Sequence, residues 1–171
     1  MDEKQTDKLL VEIANGDNDA FVEFYEQTKR GVFSFLYSYL NNYAAVEDVM
    51  QTVYLNVKLN IRQYRAGTNG RAWLLQIAKN LALNELKKRK TTEYKDGLIA
   101  CSDRREPSGE INDLMERTLT EEERRIIILH VLWGYKHREI AAIIGLPTGT
   151  VTSKYKRSIN KMQQALKEAG A

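Results

Sequence analysis

The chain has 171 residues, room for one medium domain or two small ones, and its 29% charged and 43% hydrophobic composition is that of a globular protein in water. No run approaches a membrane span, so no membrane insertion is expected. The polar, acidic start predicts no signal peptide. The single cysteine, Cys101, excludes an internal disulfide and a cysteine-rich zinc site, and the expected location is the cytoplasm. Net charge is only +3, but it is unevenly spread: −6 over residues 1–28, +3 over 29–70, +5 over 71–90, −6 over 91–123 and +7 over 124–171. Two basic blocks separated by an acidic one suggest two nucleic-acid-facing modules joined by a segment of opposite sign.

The two prolines, the wealth of Leu, Ile, Ala, Lys and Glu, and the lack of alternating strand patterns predict an all-α fold. In chain order, Asp7–Asn15 reads as a short helix, and Gly16-Asp17-Asn18 as a turn with Asp19 capping the second helix. Phe21, Phe24, Tyr25, Val32, Phe33, Leu36, Tyr37 and Leu40 continue as a long amphipathic pattern, broken at Asn41-Asn42. Ala44–Leu59 is a third helix, with Val46, Val49, Met50, Val53, Tyr54 and Val57 apolar.

A polar loop with two glycines, residues 62–71, then leads into a fourth helix, Ala72–Lys90. There Trp73, Leu74, Ile77, Ala78, Leu81 and Leu86 can bury, leaving Gln76, Lys79, Asn80, Asn84, Lys87 and Lys88 outside. Lys side chains neutralise phosphates; Asn and Gln can bond base edges or backbone. The small polar residues Gly67, Thr68 and Asn69 form a loop able to accept an unstacked base. Residues 1–90 are thus expected to be a four-helix bundle.

Residues 91–112, with Gly97, Pro107, Ser108 and Gly109 among mixed charges, read as a flexible linker. Residues 113–171 form the second expected domain. A short helix is expected at Ile111–Arg117. A better one starts at Thr120, where Thr120 and Glu123 make a capping box and Glu121 and Glu122 suit the helix N-terminus. It carries Ile126, Ile127, Leu129, His130 and Trp133 and stops at Gly134.

Tyr135–Lys161 then reads as a helix-turn-helix. Ile140, Ala141 and Ile144 face a core, Gly145 turns the chain, and Pro147 opens the next helix. In that helix Val151, Tyr155, Ile159, Met162 and Leu166 form an apolar stripe. Ser153, Lys156, Arg157, Asn160 and Gln164 point the other way, a face that suits the major groove. From Pro147 to Lys167 there are five basic residues and no acidic one, which argues for an anionic partner.

Catalysis finds little support. Glu121-Glu122-Glu123 is explained by the helix N-terminus. His130 and His137 lack a third ligand at metal spacing; His130 is expected to be packed, and His137 at the surface or facing phosphate. No phosphate loop and no nucleophile motif occurs, so no cofactor or metal is implied. Cys101 reads as an incidental thiol.

Three segments in order, AAVEDVMQTVYLNV, RQYRAGTNGRAWLLQIAKNLALNELKKRK and LTEEERRIIILHVLWGYKHREIAAIIGLPTGTVTSKYKRSINKM, resemble the bacterial sigma-70 family, extracytoplasmic-function (ECF) group, over roughly residues 8–168. The resemblance implies a region 2 bundle and a region 4 helix-turn-helix that serve RNA polymerase without any catalysis of their own. Ala44–Leu59 would dock on the clamp helices of the polymerase largest subunit through Asp48 and Gln51. Region 4 would meet the flap of the second-largest subunit.

Residues 62–90 would recognise and melt the −10 element of promoter DNA. The loop Tyr64–Gly70, with Arg65, Thr68 and Asn69, would hold a flipped base. Trp73, Lys79, Asn80, Asn84, Lys87 and Lys88 would lie near the strand. Region 4 would read the −35 duplex through Thr152, Ser153, Lys156, Arg157 and Asn160, with Thr148 and Thr150 near a phosphate at the helix N-terminus. The linker would run toward the RNA exit path. The family is usually basic at Thr152, acidic at Arg65 and aromatic at Gly70. An anti-sigma factor partner and a monomeric free state are implied. The rival reading is a stand-alone dimeric helix-turn-helix transcription regulator, which needs a dimerisation helix and a palindromic site.

Overall fold

A computed structural model describes residues 3–96 and 110–169. Among the described residues the regular structure is helical, with no strand: α1 (Glu3–Ala14), α2 (Asn18–Leu40), α3 (Tyr43–Asn60), a 3₁₀ turn (Ile61–Gln63), α4 (Gly70–Asp96), α5 (Glu110–Thr118), α6 (Glu121–Val131), α7 (His137–Ile144) and α8 (Thr148–Ala169). The chain separates into two compact units, Met1–Arg104 and Arg105–Ala171.

The first unit is the expected four-helix bundle. Its boundaries are set by local chemistry. Asp17, not the expected Asp19, is the cap of α2: its Oδ1 accepts from the amides of Asp19 (2.9 Å) and Ala20 (3.1 Å). Asp19 lies inside the first turn, where its charge still complements the helix N-terminus. The Asn41-Asn42 break is divided between two jobs. Asn41 takes the left-handed conformation (φ 47°) that ends α2, and the Asn42 side chain accepts from Ala45 N–H (2.9 Å) to start α3.

The core is formed by Leu10 and Ile13 of α1, Phe24, Val32, Phe35 and Leu36 of α2, Val46, Val53 and Val57 of α3, and Leu74, Leu75, Ala78 and Ala82 of α4. The buried line of α4 differs from the expected one. Leu75 and Ala82 are buried, whereas Trp73, Ile77, Leu81 and Leu86 are only half-buried. The helix also runs on to Asp96, six residues past the expected end at Lys90, and α5 begins at Glu110, so the expected linker 91–112 is helical at both ends. Its middle, including Cys101, lies outside the described residues.

Thr28 and Tyr54 form a polar pair inside the bundle. The Thr28 hydroxyl donates to Phe24 O (2.6 Å), so the Tyr54 hydroxyl donates to Thr28 Oγ1 (2.8 Å). Phe21, Phe24 and Tyr25 surround the Tyr54 ring edge-on, with centroids 4.8–6.5 Å away. Burial raises the Tyr54 pKa well above its ordinary value.

In the second unit Met115, Leu119 and Ile127 form a core cluster, with Tyr155, Ile159 and Met162 of α8 half-buried against it. Ile126, Leu129, Ile140 and Val151 are fully buried. Leu166, expected on the same stripe, is exposed. Val151 N–H donates to Pro147 O (3.1 Å), which makes Pro147 the cap residue immediately before α8, one position ahead of the first helical residue Thr148.

Thr28→Val should strand the Tyr54 hydroxyl in an apolar pocket and destabilise the bundle by about 1–3 kcal/mol, measured as a lower urea midpoint. Thr28→Ser keeps the acceptor and should retain most of that stability.

Candidate nucleic-acid interface

The helix-turn-helix is assembled by specific bonds. Lys136 N–H donates to Glu139 Oε2 (2.7 Å) at the start of α7. Gly145 ends α7 at φ +79°, a conformation only glycine adopts without strain, and its N–H donates to Ala141 O (2.9 Å). At α6, the expected capping box is present. Thr120 N–H donates to Glu123 Oε2 (3.0 Å), and Glu123 N–H donates to Thr120 Oγ1 (3.3 Å).

Those same acidic residues reach across to α8. Lys161 Nζ lies 2.9 Å from both oxygens of the buried Glu123, and Lys154 Nζ lies 2.8 Å from Glu122 Oε1. Burial pushes the Glu123 carboxyl up. The bonds from Lys161 and from the Thr120 amide outweigh it, so its pKa lies below the ordinary carboxylate value. Two of the five basic residues of the recognition helix thus belong to the fold. Lys156, Arg157 and Lys167 are exposed.

Ser153, Lys156, Arg157 and Asn160 share the exposed face of α8. The Ser153 hydroxyl donates back to Gly149 O (2.9 Å). Thr148 is exposed and Thr150 half-buried at the helix start. Thr152 is half-buried: its hydroxyl donates to Thr148 O (3.0 Å), and Oγ1 lies 3.1 Å from His137 Nδ1.

His137, expected at the surface or facing phosphate, is instead half-buried, its ring packed against α6 and α8. Its ring contacts His130 of α6 (centroids 5.0 Å) and Tyr155 of α8 (4.9 Å), and its Nε2 is buried. His130 is packed as expected, with Nδ1 2.8 Å from Tyr135 O. Burial, then the nearby His130 and Lys156, lower the His137 pKa below its ordinary value.

In the first unit the 64–70 loop closes on itself. Thr68 N–H (3.2 Å) and Thr68 Oγ1–H (2.7 Å) both donate to Arg65 O. Asn69 Oδ1 accepts from Ala72 N–H (2.8 Å) and so starts α4. Arg65, Ala66, Gly67 and Thr68 are exposed. Tyr64 is half-buried, its ring 5.2 Å from that of Trp73 and its hydroxyl bonded to Asp7 of α1. Burial and the Asp7 bond push its pKa up to about 12.

Along α4, Asn80 accepts from Gln76 Nε2 (2.8 Å), Lys79 is half-buried, and Asn84, Lys87 and Lys88 are exposed.

On α3, Asp48 and Gln51 are exposed. Leu55 and Leu59 continue the same helical stripe at four-residue spacing and are 56% and 71% exposed. Sequence reasoning passed over both; two leucines off the buried valine line were the available signal. Among the described residues, no group of three or more His, Cys, Asp or Glu could hold a metal ion, and no helix is long and apolar enough to cross a membrane.

Sigma-70 region 2 matches residues 24–92, and Sigma-70, region 4 matches residues 113–162, together well over half of the chain. The chain belongs to the sigma-70 family. Sigma factors direct RNA polymerase to promoters and are not themselves enzymes.

The similarity to the ECF group runs the length of the chain. It is 23% identical over 180 residues to the ECF RNA polymerase sigma factor SigW of Bacillus subtilis, covering 94% of this chain and 96% of that one. It is 27% identical over 167 residues to the ECF RNA polymerase sigma factor SigC of Mycobacterium tuberculosis, covering 92% and 89%. The fold is shared with the sigma factor RpoE solved in complex with the anti-sigma factor NepR from Bartonella quintana (TM-score 0.63, 24% identity, 85% of this chain and 97% of that chain). It is also shared with CnrH, solved in complex with the cytosolic domain of CnrY (TM-score 0.64, 20% identity, 98% and 99%).

His137 gives the second unit a pH dependence of definite sign. Its folded pKa is lowered, so below about 6.5 the unfolded chain takes up the proton first. Stability is full above that value and is lost as pH falls toward the folded pKa. Thermal unfolding at a series of pH values should show a falling midpoint between pH 7 and pH 5, with a smaller fall in His137→Tyr.

Proposed function

We propose that the two units divide promoter recognition between them. The second unit lays α8 into the major groove of the −35 element, with Ser153, Arg157 and Asn160 toward bases and Lys156 and the Thr148–Thr150 end toward phosphate. The first unit captures the unpaired −10 strand: the 64–70 loop receives an unstacked base, and Asn80, Asn84, Lys87 and Lys88 track the backbone. The observation that carries this reading is the exposed polar face of α8, fastened from behind by Glu122, Glu123 and the buried Val151.

Each unit alone should hold DNA weakly. Joining them on the polymerase raises effective concentration and makes the spacing between the two elements a selective feature. With Lys154 and Lys161 engaged inside the fold, fewer phosphates are neutralised by α8 than its charge suggests, which predicts a shallower salt dependence.

The α3 stripe of Asp48, Gln51, Leu55 and Leu59 is the docking face for the clamp helices of the polymerase largest subunit, and the second unit meets the flap of the second-largest subunit. The apolar members of that stripe supply burial, and the polar ones supply register. The protein acts as a monomer in the bacterial cytoplasm. The Bartonella quintana relative was solved with an anti-sigma factor, which supports the same kind of restraint here.

The test is size-exclusion chromatography with bacterial core RNA polymerase, followed by run-off transcription on genomic DNA. Co-elution with discrete new transcripts is expected. Failure to co-elute, together with tight binding to DNA without polymerase, would favour a stand-alone dimeric regulator. Arg157→Ala should lower −35-dependent transcription about tenfold and leave co-elution intact. Gln51→Ala and Leu55→Asp should weaken co-elution and spare duplex binding by the second unit.

A further inference from the structure

The 64–70 loop is not held by its own bonds alone. Asp7 lies on α1, 57 residues before Tyr64 and 60 before Gly67. It is half-buried, and a single oxygen, Oδ1, accepts from both the Tyr64 hydroxyl and the Gly67 amide (2.9 Å). These two donors bracket the tip: one opens the loop, and the other sits at its left-handed residue, φ +79°.

The far end of the loop also rests on α1. Gly70 is buried, and a Cβ there would come within 2.7 Å of Leu10 Cδ1 and 3.1 Å of both Thr6 Cγ2 and the Tyr64 hydroxyl. Thr6, Asp7 and Leu10 share one side of α1. The bonds from Thr68 to Arg65 shape the tip but do not fix it relative to α4. The bonds to Asp7 do, and a charged acceptor makes them stronger than neutral ones.

We propose that Asp7 is a positioning residue for base reading, holding the 64–70 loop in the shape that receives an unstacked base, so that α1 contributes to −10 selectivity without touching DNA. The proposal rests on the reading of this loop as the base receptor. Without Asp7, the single Tyr64 hydroxyl proton turns to Thr68 O (3.0 Å), a partner within the loop itself, and the Gly67 amide turns to water. The tip must then be ordered by the base itself. A well-fitting base loses most from this, because only it makes the full set of contacts. A poor fit loses little, so discrimination falls more than overall activity.

The experiment uses the full chain with core polymerase on a promoter mapped from its own transcripts. Non-template strands carrying each of the four bases at each −10 position are compared for wild type, Asp7→Ala, Asp7→Asn, Tyr64→Phe and the Asp7→Ala/Tyr64→Phe pair. Asp7→Ala should lower the preference for the favoured base at one position by about tenfold, with the other positions changed by less than about twofold. Asp7→Asn, whose amide oxygen can accept the same two bonds, should restore most of it. The double variant should show less than the product of the single effects.

If Asp7→Ala unfolds the bundle, Tyr64→Phe removes one bond, keeps the ring and should move the same position. Equal losses at every position, or an unchanged profile against a selective wild type, would overturn the positioning role alone. A wild type with no base preference at any −10 position would overturn the reading of the loop, and the role of Asp7 with it.

Discussion

Helix α4 is held on one side by Leu74, Leu75, Ala78 and Ala82, each at least 98% buried. It packs against α1, α2 and α3, and the two alanines let those helices approach closely. This burial fixes the rotation of α4 about its own axis. Gln76, Asn80, Asn84, Lys87 and Lys88 then have no choice but to face water. The polar outer face of α4, proposed above to meet a nucleic acid strand, is set by apolar packing on the buried side of the helix. A larger residue at Ala78 or Ala82 would turn the outer face before it changed any charge.

Region 4 meets the same requirement by another route. Its recognition helix has little fully buried surface of its own, with Val151 and Ser158 inside and Tyr155, Ile159 and Met162 half-covered. The deficit is offset by ionic contacts. The N-terminal turn of α6 carries three glutamates, which its own helix dipole favours; two of them also meet Lys154 and Lys161, which lie about two turns apart on α8. The buried Glu123 is the member to which geometry matters most, because it serves the cap of α6 and the register of α8 together. The packed His130, His137 and Tyr155 rings close the remaining gap between α6, α7 and α8.

Much of this was legible in the sequence, and the failures have physical causes. Helix periodicity and turn chemistry disclosed the all-α fold, the break at Asn41-Asn42, the capping box at Thr120 and the turn at Gly145. Local patterns could not tell which of several adjacent apolar residues a three-sided packing would cover, so Leu75 and Ala82 were passed over for Leu81 and Leu86. Asp17 and Asp19 are both good caps, and only the backbone conformation at Asp17 decides between them. Counting charges overstated the anion-binding face of α8, because the pairing of Lys154 and Lys161 with α6 is tertiary. The packing of His137 is hidden from local pattern for the same reason: its neighbours come from α6 and α8. The contact between Asp7 and the 64–70 loop spans too many residues for any pattern to announce it.

The matched region 2 span begins at residue 24. Helix α1 and the Asp17 cap lie before it, yet α1 packs against both α2 and α4 and supplies Leu10 to the core. The matched region 2 span is therefore smaller than the unit that folds. A fragment trimmed to residues 24–92 would uncover Phe24 and Gly70 and lose the floor beneath the loop. The minimal working piece of this domain has to be drawn from its packing, and it starts near the first residues of α1.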